Sequence, residues 1–501
     1  MKLSDLLKEP DYRLLFGTED KDVKALKYQS DKCAPGDAFF ALRGRDADGH
    51  DFLSDAAARG AGVLLVEDPA FVSRLRSTEK TGESSAGSLP AVVQVPDTRA
   101  ALAQAACAFY RHPSQELLTV GITGTKGKTT TAFLLQAILE RAGIPAGMIG
   151  TVHCGYPGHY ETARNTTPES CEIQKMLRRM CDAGCRAVVM EVSSQGLKYS
   201  RTAGIFFDYA LFTNLAPDHI GPGEHADFEE YAYWKSRLFT GCRTAVLNEG
   251  DPGWKRMDAV CSAQKKILFR VCTDTGSSKD MEAYDLRLIR EDGVLGSVFS
   301  LRGCSKPFRI GLPGIHNVEN ALGAIAVAKD LNIADEIIRE ALWEARVPGR
   351  TEIAVSSDYI ALVDYAHNGT ALRHLLKTLR LYRPRRLLLV FGCGGERDRT
   401  RRVEMGRAAA ELADFSILTS DNPRREDPQR ILSDIAAAMQ EARGVWRVIE
   451  DRREAIRTAV RMAEAGDILV VAGKGHETYQ LIGSTIRHFD DREELRKGLE
   501  K

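Results

Sequence analysis

The chain has 501 residues, enough for about three domains, and its 44% hydrophobic and 28% charged content is that of an ordinary soluble globular protein. Lysine plus arginine and aspartate plus glutamate both total 69, so no net field draws the chain to nucleic acid or to an anionic membrane surface. The opening Met1-Lys2-Leu3-Ser4-Asp5 lacks the apolar core of a signal peptide and no apolar run is long enough to span a bilayer, which predicts a cytoplasmic protein with no membrane insertion.

Residues 1–96 alternate short strands and helices: strand 37–42, helix 51–59, strand 62–67, a polar mobile loop over 77–88, and strand 91–95. Asp97 is an N-cap for a helix that buries Leu102, Ala106 and Phe109, so a first boundary falls near residue 96. The apolar run 117–122 reads as a buried strand, followed by a glycine-rich turn. A helix with Leu134, Leu135, Ile138 and Leu139 on one face comes next, stopped at Gly143. Helix 170–184 and strands 187–192, 209–213 and 244–248 continue a mostly parallel sheet with helical crossovers. From 284 to 312 the period becomes two, with a hairpin signal at Asp292-Gly293, and a helix follows over 318–330. Past Val347-Pro348-Gly349 a third αβ series begins, with strands 360–364, 386–391, 415–419, 446–449 and 467–472. The fold class is α/β, in three domains over 1–96, 97–347 and 348–501, the last Rossmann-like. The eleven cysteines have no scaffold spacing, and Cys181 and Cys185 have no histidine pair nearby, so buried free thiols in a reducing compartment are expected.

Strand, glycine-rich turn and helix is the layout of a phosphate-binding loop. In Gly121-Ile122-Thr123-Gly124-Thr125-Lys126-Gly127-Lys128-Thr129-Thr130 the glycines let backbone N–H groups turn inward and the helix N-terminus adds partial positive charge. Lys128 is placed to meet the outer phosphates and Thr129 to offer its hydroxyl to Mg²⁺. The spacing departs from G-x-x-x-x-G-K-[ST] because Ile122 stands in the first glycine's place. A turn that binds nothing is the bland alternative; the strand before and the helix after favour a nucleoside triphosphate. Sheets of this kind present functional residues at the carboxyl ends of their strands. Glu191 ends one strand, where a carboxylate takes Mg²⁺ directly or through water, and otherwise is a solvated acid. His219 follows another strand and is a candidate metal ligand. Lys235 alone reads as a solvated lysine, and Asn165-Thr166-Thr167-Pro168 alone as a turn with a helix start.

Taken together, Gly124 to Thr130, Asn165-Thr166-Thr167-Pro168, Glu191-Val192-Ser193-Ser194, Thr213-Asn214 with Asp218-His219, and Lys235 resemble the Mur ligase family. The likeness is strongest to the branch that adds the third amino acid. It continues in order through Gly314 to Asn320, Asp364-Tyr365-Ala366-His367, Gly392 to Asp398, Asp421-Asn422-Pro423-Arg424 and Gly473 to Glu477, over nearly the whole chain.

The resemblance implies a three-domain enzyme with a central P-loop ATPase-like domain, and an ATP-dependent ligase of peptidoglycan precursor synthesis. Its partners would be a UDP-N-acetylmuramoyl dipeptide, ATP and a diamino acid, with two Mg²⁺ and a monomeric chain that closes around its substrates. Ser30 and the turn Arg45-Asp46-Ala47 match positions holding the UDP end, and Asn165, Thr166, Thr167, Ser193, Tyr199 and Arg201 match sugar-peptide contacts. Gly124, Thr125, Lys126, Gly127, Lys128, Thr129 and Thr130 match phosphate contacts, and Asn320, Arg350 and His367 match other ATP contacts. Lys128, Glu191, His219 and Lys235 are the implied catalytic set; Thr129, Glu191 and His219 match metal positions, joined by Lys235 as a carbamate. Arg397, Asp421, Asn422, Pro423, Arg424, Gly473 and Glu477 match the pocket of the incoming amino acid.

Two departures stand out. Tyr199 occupies a place where relatives often have glutamine. The segments 218–225 and 364–369 look like the lysine-adding branch, whereas Asn422-Pro423-Arg424 is the signature of diaminopimelate addition, so the amino acid is meso-diaminopimelate or L-lysine, with the pocket residues favouring the former. A folylpolyglutamate-synthetase-like ligase shares the loop but opens near it, whereas this chain carries about a hundred residues first. A nucleotide-hydrolysing switch protein has no use for a third-domain amino-acid pocket.

Overall fold

Five apolar strands build the first sheet, in the order Arg13–Phe16, Ala91–Gln94, Val63–Val66, Ala38–Phe40 and Leu26–Lys27. The first pair is antiparallel and the rest are parallel. The structure is a computed structural model and describes residues 1–8, 11–44, 47–70, 90–162, 165–272, 281–291 and 293–499. The loop expected over 77–88 therefore lies outside the described residues, as does Asp292 of the hairpin signal. By its contacts the chain divides into two compact units, Met1–Lys128 with Gly143–Leu268, and Thr129–Ala142 with Phe269–Lys501.

The first unit holds a second sheet with Leu118–Thr123 at its centre, between Phe207–Phe212 and Ala187–Glu191. Both neighbours run parallel to it, and Cys242–Asn248 and Ala146–Ile149 extend the parallel set on either side. All six residues of the central strand except Leu118 are buried, as a strand covered on both faces requires. The sheet ends in an antiparallel pair, His153–Tyr156 and His159–Thr162, which the apolar pattern does not announce: the outer strand is exposed at all four residues. Helix Thr98–Phe109 is capped by Asp97, whose carboxylate accepts from the N–H of Arg99 and of Ala100, as expected.

In the second unit, Glu282–Glu291, Val294–Leu301 and Phe308–Ile310 form the antiparallel meander. The last sheet runs Glu352–Ser356, Ile360–Asp364, Ile468–Ala472, Leu387–Phe391, Phe415–Leu418 and Trp446–Val448. The five predicted strands are its parallel part, and the antiparallel edge strand Glu352–Ser356 is an addition. Its two faces bury separate cores, one around Leu375, Phe391 and Ile435 and one around Val363, Ile456 and Leu469. Among the described residues no helix is long and apolar enough to cross a membrane.

One buried ion pair fixes the carboxyl end of the strand Ile468–Ala472. Arg452 and Asp491 have fully buried side chains and meet through two bonds of 2.7 Å, and the same guanidinium donates to the Ala472 carbonyl at 3.1 Å. Breaking such a pair from one side leaves a charge buried without its partner. Asp491→Ala should therefore cost about 3–5 kcal/mol in urea unfolding, and Arg452→Met with Asp491→Leu should recover most of it; equal stability of the single variant and the parent would contradict the assignment.

Candidate active site

The strand Leu118–Thr123 ends at Gly124, whose φ of +148° belongs to glycine. A Cβ there would lie 1.9 Å from the Thr213 hydroxyl oxygen, so backbone and side chain touch with nothing between them. Gly127, at φ +86°, turns the chain into the helix Lys128–Arg141. The segment after strand Phe207–Phe212 braces this turn from outside. Thr125 N–H donates to Asn214 O at 2.9 Å, Lys126 N–H donates to Asn214 Oδ1 at 2.9 Å, and Thr213 Oγ1 donates to Lys126 O at 2.6 Å. The Lys126 ammonium meets Asp218 at 2.9 Å and lowers that carboxyl's pKa although burial alone would raise it. The loop is thus held by side chains that keep it in shape without a ligand, which spares reorganisation when phosphate binds.

Two lysines converge on one oxygen of this loop. Lys128 Nζ donates to Gly124 O at 2.8 Å and to Thr125 O at 3.1 Å, and Lys235 Nζ donates to the same Gly124 O at 2.8 Å. Lys235 is 2% exposed. It rides on the helix Phe228–Ser236, which Asp227 caps through Glu230 N–H, and its amine lies 4.5 Å from the centre of the Tyr231 ring. Burial first, and the neighbouring Lys128 charge second, push its pKa well below the ordinary lysine range. It is a buried amine sharing one acceptor with a second lysine, not the solvated side chain its sequence context suggests.

Glu191 is buried at the end of strand Ala187–Glu191, where it accepts from Thr151 N–H at 2.8 Å and from Thr151 Oγ1 at 3.1 Å. Thr151 Oγ1 is also 3.0 Å from Thr166 Oγ1, and Thr167 Oγ1 donates to Glu191 O at 2.9 Å while accepting from Ser193 N–H at 3.0 Å. Asn165, Thr166, Thr167, Ser193 and Arg201 are thereby one strip, since Arg201 Nη1 donates to Thr167 O at 3.1 Å. His219 sits apart from Glu191: its backbone is left-handed at φ +55°, its ring is 55% exposed and its Nδ1 is 3.2 Å from Glu224. Ser30 opens a short 3₁₀ turn and its hydroxyl bonds Asp55. Ala47 closes a tight turn by accepting from Gly44 N–H at 2.9 Å; Arg45 and Asp46 lie outside the described residues.

A residue the sequence reading passed over is His225. Its ring is wholly buried, with Nε2 2.9 Å from Ser194 Oγ, and burial depresses its pKa. Its N–H donates to His219 O at 3.1 Å, so it anchors the loop that carries His219. A lone histidine in a polar loop gives no signal for this in the sequence.

In the second unit the predicted pocket residues gather at the carboxyl ends of strands Leu387–Phe391, Phe415–Leu418 and Ile468–Ala472. The missing side chain of Gly394 leaves a space bounded by Arg424 Nη1 at 3.7 Å and Arg397 Cγ at 3.8 Å. Arg424 has a left-handed φ of +54° and donates from Nη1 to Gly395 O at 2.6 Å. Its N–H donates to Leu481 O and its carbonyl accepts from Gly483 N–H, so the hairpin Tyr479–Ile482 and Thr485–His488 grips it on both sides. Asn422 Nδ2 and the buried Lys474 Nζ both donate to Glu477 Oε2, at 2.8 and 3.1 Å. Pro423 and Asp421 are buried beside them, and a Cβ on Gly473 would lie 2.5 Å from Asp421 Oδ2. Arg350 stacks 4.9 Å over Tyr365, whose carbonyl is 2.8 Å from His367 Nδ1; the Arg350 Nε is buried with no hydrogen-bond partner among the described residues. Asn320 Oδ1 accepts from Thr131 Oγ1 at 3.4 Å.

Among the described residues no three histidine, cysteine, aspartate or glutamate side chains gather as a ready metal cage. The buried Glu191 carboxylate and Thr129 hydroxyl are oxygen donors of the kind Mg²⁺ takes, one or two from the protein with the rest from phosphate and water.

Domain profiles match along the chain: "Mur ligase family, catalytic domain" over residues 22–110, "Mur ligase middle domain" over 122–328, and "Mur ligase, glutamate ligase domain" over 349–475. The chain is 38% identical to the UDP-N-acetylmuramoyl-L-alanyl-D-glutamate–2,6-diaminopimelate ligase of Clostridium perfringens, over 98% of each chain. It is 41% identical to the enzyme of the same name from Gloeobacter violaceus, over 96% of this chain and 95% of that one. A solved structure of a UDP-N-acetylmuramoyl-L-alanyl-D-glutamate–2,6-diaminopimelate ligase superposes with a TM-score of 0.69 at 28% identity, covering 100% of this chain and 99% of that one.

The close approach at Gly124 gives a direct test of the loop. Gly124→Ala should drive its Cβ into Thr213 and weaken binding of a non-hydrolysable ATP analogue more than about tenfold by calorimetry, a loss exceeding about 1.4 kcal/mol. Adding Thr213→Ala should restore part of the affinity, because the positive φ still disfavours alanine; unchanged affinity in the single variant would refute the packing argument.

Proposed function

This chain belongs to the Mur ligase family and has its three-domain α/β architecture, and we propose that it joins meso-diaminopimelate to UDP-N-acetylmuramoyl-L-alanyl-D-glutamate, splitting ATP to ADP and phosphate. The observation that carries this reading is the pair of lysine amines on the Gly124 carbonyl, one on the loop itself and one buried beneath it. We take the domains as residues 1–96, 97–347 and 348–501.

A carboxylate does not acylate an amine in water, because its oxygen is a poor leaving group. In the proposed reaction a carboxylate oxygen of the peptide attacks the γ-phosphorus of ATP, the bond to ADP breaks, and an acyl phosphate forms. The deprotonated amine of the amino acid then attacks the acyl carbon, forming the C–N bond; the tetrahedral intermediate gives up a proton from nitrogen and breaks its C–O bond to phosphate, leaving the amide. The loop from Gly124 to Thr130 is taken as the phosphate contact: Lys128 and the N–H groups that Asn214 does not already occupy hold the phosphoryl oxygens as their charge shifts. Asn320, Arg350 and His367 are taken as further ATP contacts. Ser30, the 45–47 turn, Asn165, Thr166, Thr167, Ser193 and Arg201 are taken as contacts of the nucleotide-sugar peptide.

Mg²⁺, when bound, neutralises the phosphate oxygens and polarises the γ-phosphoryl group. Thr129, Glu191, His219 and Lys235 would hold it, at two sites in our reading. A deprotonated amine is the form that reacts with CO₂; burial favours that form at Lys235, and the carbamate, formed as the nitrogen gives up one proton, would make the side chain an anionic ligand.

The acceptor pocket sets which amino acid enters. Meso-diaminopimelate and lysine differ by one distal carboxylate, and in our reading Arg424 and Arg397, which both approach Gly394, receive that group. A guanidinium meets a carboxylate in two parallel bonds and repels lysine's terminal ammonium. The segment 364–369 borders this pocket, the Asp364 carbonyl accepting from Gly473 N–H at 3.1 Å, but it supplies no cation for the distal group.

Two experiments test the reading. With UDP-N-acetylmuramoyl-L-alanyl-D-glutamate, ATP and Mg²⁺, diaminopimelate should exceed L-lysine and L-ornithine in kcat/KM by at least about tenfold to a hundredfold, the worth of one charge-assisted contact. Arg424→Ala should erase that preference, and an equal or better kcat/KM with lysine in the parent would overturn it. For Lys235, ¹³C-labelled bicarbonate should give a carbamate signal by NMR that Lys235→Arg lacks, and Lys235→Ala should be nearly inactive yet partly rescued by formate or acetate. A fully active alanine variant would dismiss the carbamate.

A further inference from the structure

Arg99 lies among none of the residues considered so far, yet its guanidinium joins three of their segments. Nη2 donates to the Arg43 carbonyl at 3.0 Å, just before the tight turn that ends at Ala47. Nη1 donates to both oxygens of Glu169, at 3.3 and 3.2 Å, next to the strip of Thr166 and Thr167. Arg201 reaches the same carboxylate through Nε at 2.9 Å and Nη2 at 2.8 Å. Both guanidiniums lie over the ring of Tyr199, at 4.7 and 5.6 Å from its centre.

The charge count is uneven. Two guanidiniums face one carboxylate, and the three side chains are only 17%, 15% and 11% exposed. The other acids close by are committed elsewhere: Asp97 caps the helix through the N–H groups of Arg99 and Ala100, and Glu67 accepts from Thr98. A surplus positive charge in so little water is costly until an anion joins it.

We propose that Arg99, aimed by the Tyr199 ring and the Glu169 carboxylate, holds the diphosphate bridge of the nucleotide-sugar substrate. This rests on the reading that the turn ending at Ala47 takes the UDP end and the Thr167 strip takes the sugar peptide, so that the junction between them carries the phosphates. Arg99 is bonded to both segments, and the chemical group between uridine and the sugar is the diphosphate. The tyrosine departure then has a physical meaning. Glutamine offers an amide to a ligand, whereas tyrosine offers a flat electron-rich face that fixes two guanidiniums by cation–π attraction. Tyr199 is a positioning residue.

The test compares UDP with uridine as calorimetric ligands of the full chain, together with steady-state KM values. The parent should bind UDP more tightly than uridine. Arg99→Ala should lose about tenfold to a hundredfold in UDP affinity while uridine affinity holds, with Arg99→Lys between them. Its KM for the nucleotide-sugar peptide should rise and its KM for ATP should not. Tyr199→Phe, which keeps the ring, should keep the preference for UDP, and Tyr199→Ala should reduce it. Equal losses for UDP and uridine, or an unchanged UDP affinity, in Arg99→Ala would overturn the proposal, as would a parent with no preference. A Tyr199→Phe variant matching Tyr199→Ala would remove the ring's role. These outcomes are read on the variants and on UDP against uridine, whereas failure of the ligase reading is absence of ligation in the parent.

Discussion

An amine withdrawn from water and set beside a second amine has one inexpensive charge state, the neutral one. Lys235 and Lys128 both lie 2.8 Å from the Gly124 oxygen, so their nitrogens are no more than twice that distance apart. Two unit charges at that range repel by about 3 kcal/mol at an effective dielectric of about 20, on top of the desolvation of Lys235. Much of the first unit's local architecture enforces this meeting. Asp227 starts the helix that delivers Lys235, and Tyr231 on that helix reaches Thr125 Oγ1 through its hydroxyl at 3.1 Å, locking helix to loop. Thr213 and Asn214 then hold the loop carbonyls and amides in register. The loop thus packs a lysine from a distant helix against its own backbone.

The phosphate loop was legible because its signals are local and redundant: an apolar strand, glycines where φ turns positive, and an apolar helix face. The parallel strands of the last sheet were legible for the same reason, each a run of apolar residues buried on both faces. What escaped reading depends on distant partners. The strand His159–Thr162 is exposed throughout and is a strand only because His153–Tyr156 offers it a ladder. Glu352–Ser356, an edge strand, carries three half-buried residues and no clean alternation.

Side-chain environment was less legible than backbone. Nothing in Tyr233-Trp234-Lys235-Ser236 announces that this lysine, and neither aromatic before it, points into the interior. His225 and Arg99 lie in segments whose polar composition reads as loop or helix start, and their partners, Ser194 and Glu169, stand about 30 and 70 residues away. Their importance is a matter of which segments the sheet brings side by side.

Arg424 carries a last consequence. It keeps a left-handed backbone, which costs a non-glycine residue roughly 1–2 kcal/mol, and it does so because the hairpin Tyr479–Ile482 and Thr485–His488 holds its N–H and its carbonyl together. The hairpin supplies none of the residues matched to the amino-acid pocket and faces solvent along its second strand. The hairpin therefore sets where the Arg424 guanidinium points, and a change in the length of its turn would re-aim that side chain while every residue around it keeps its identity.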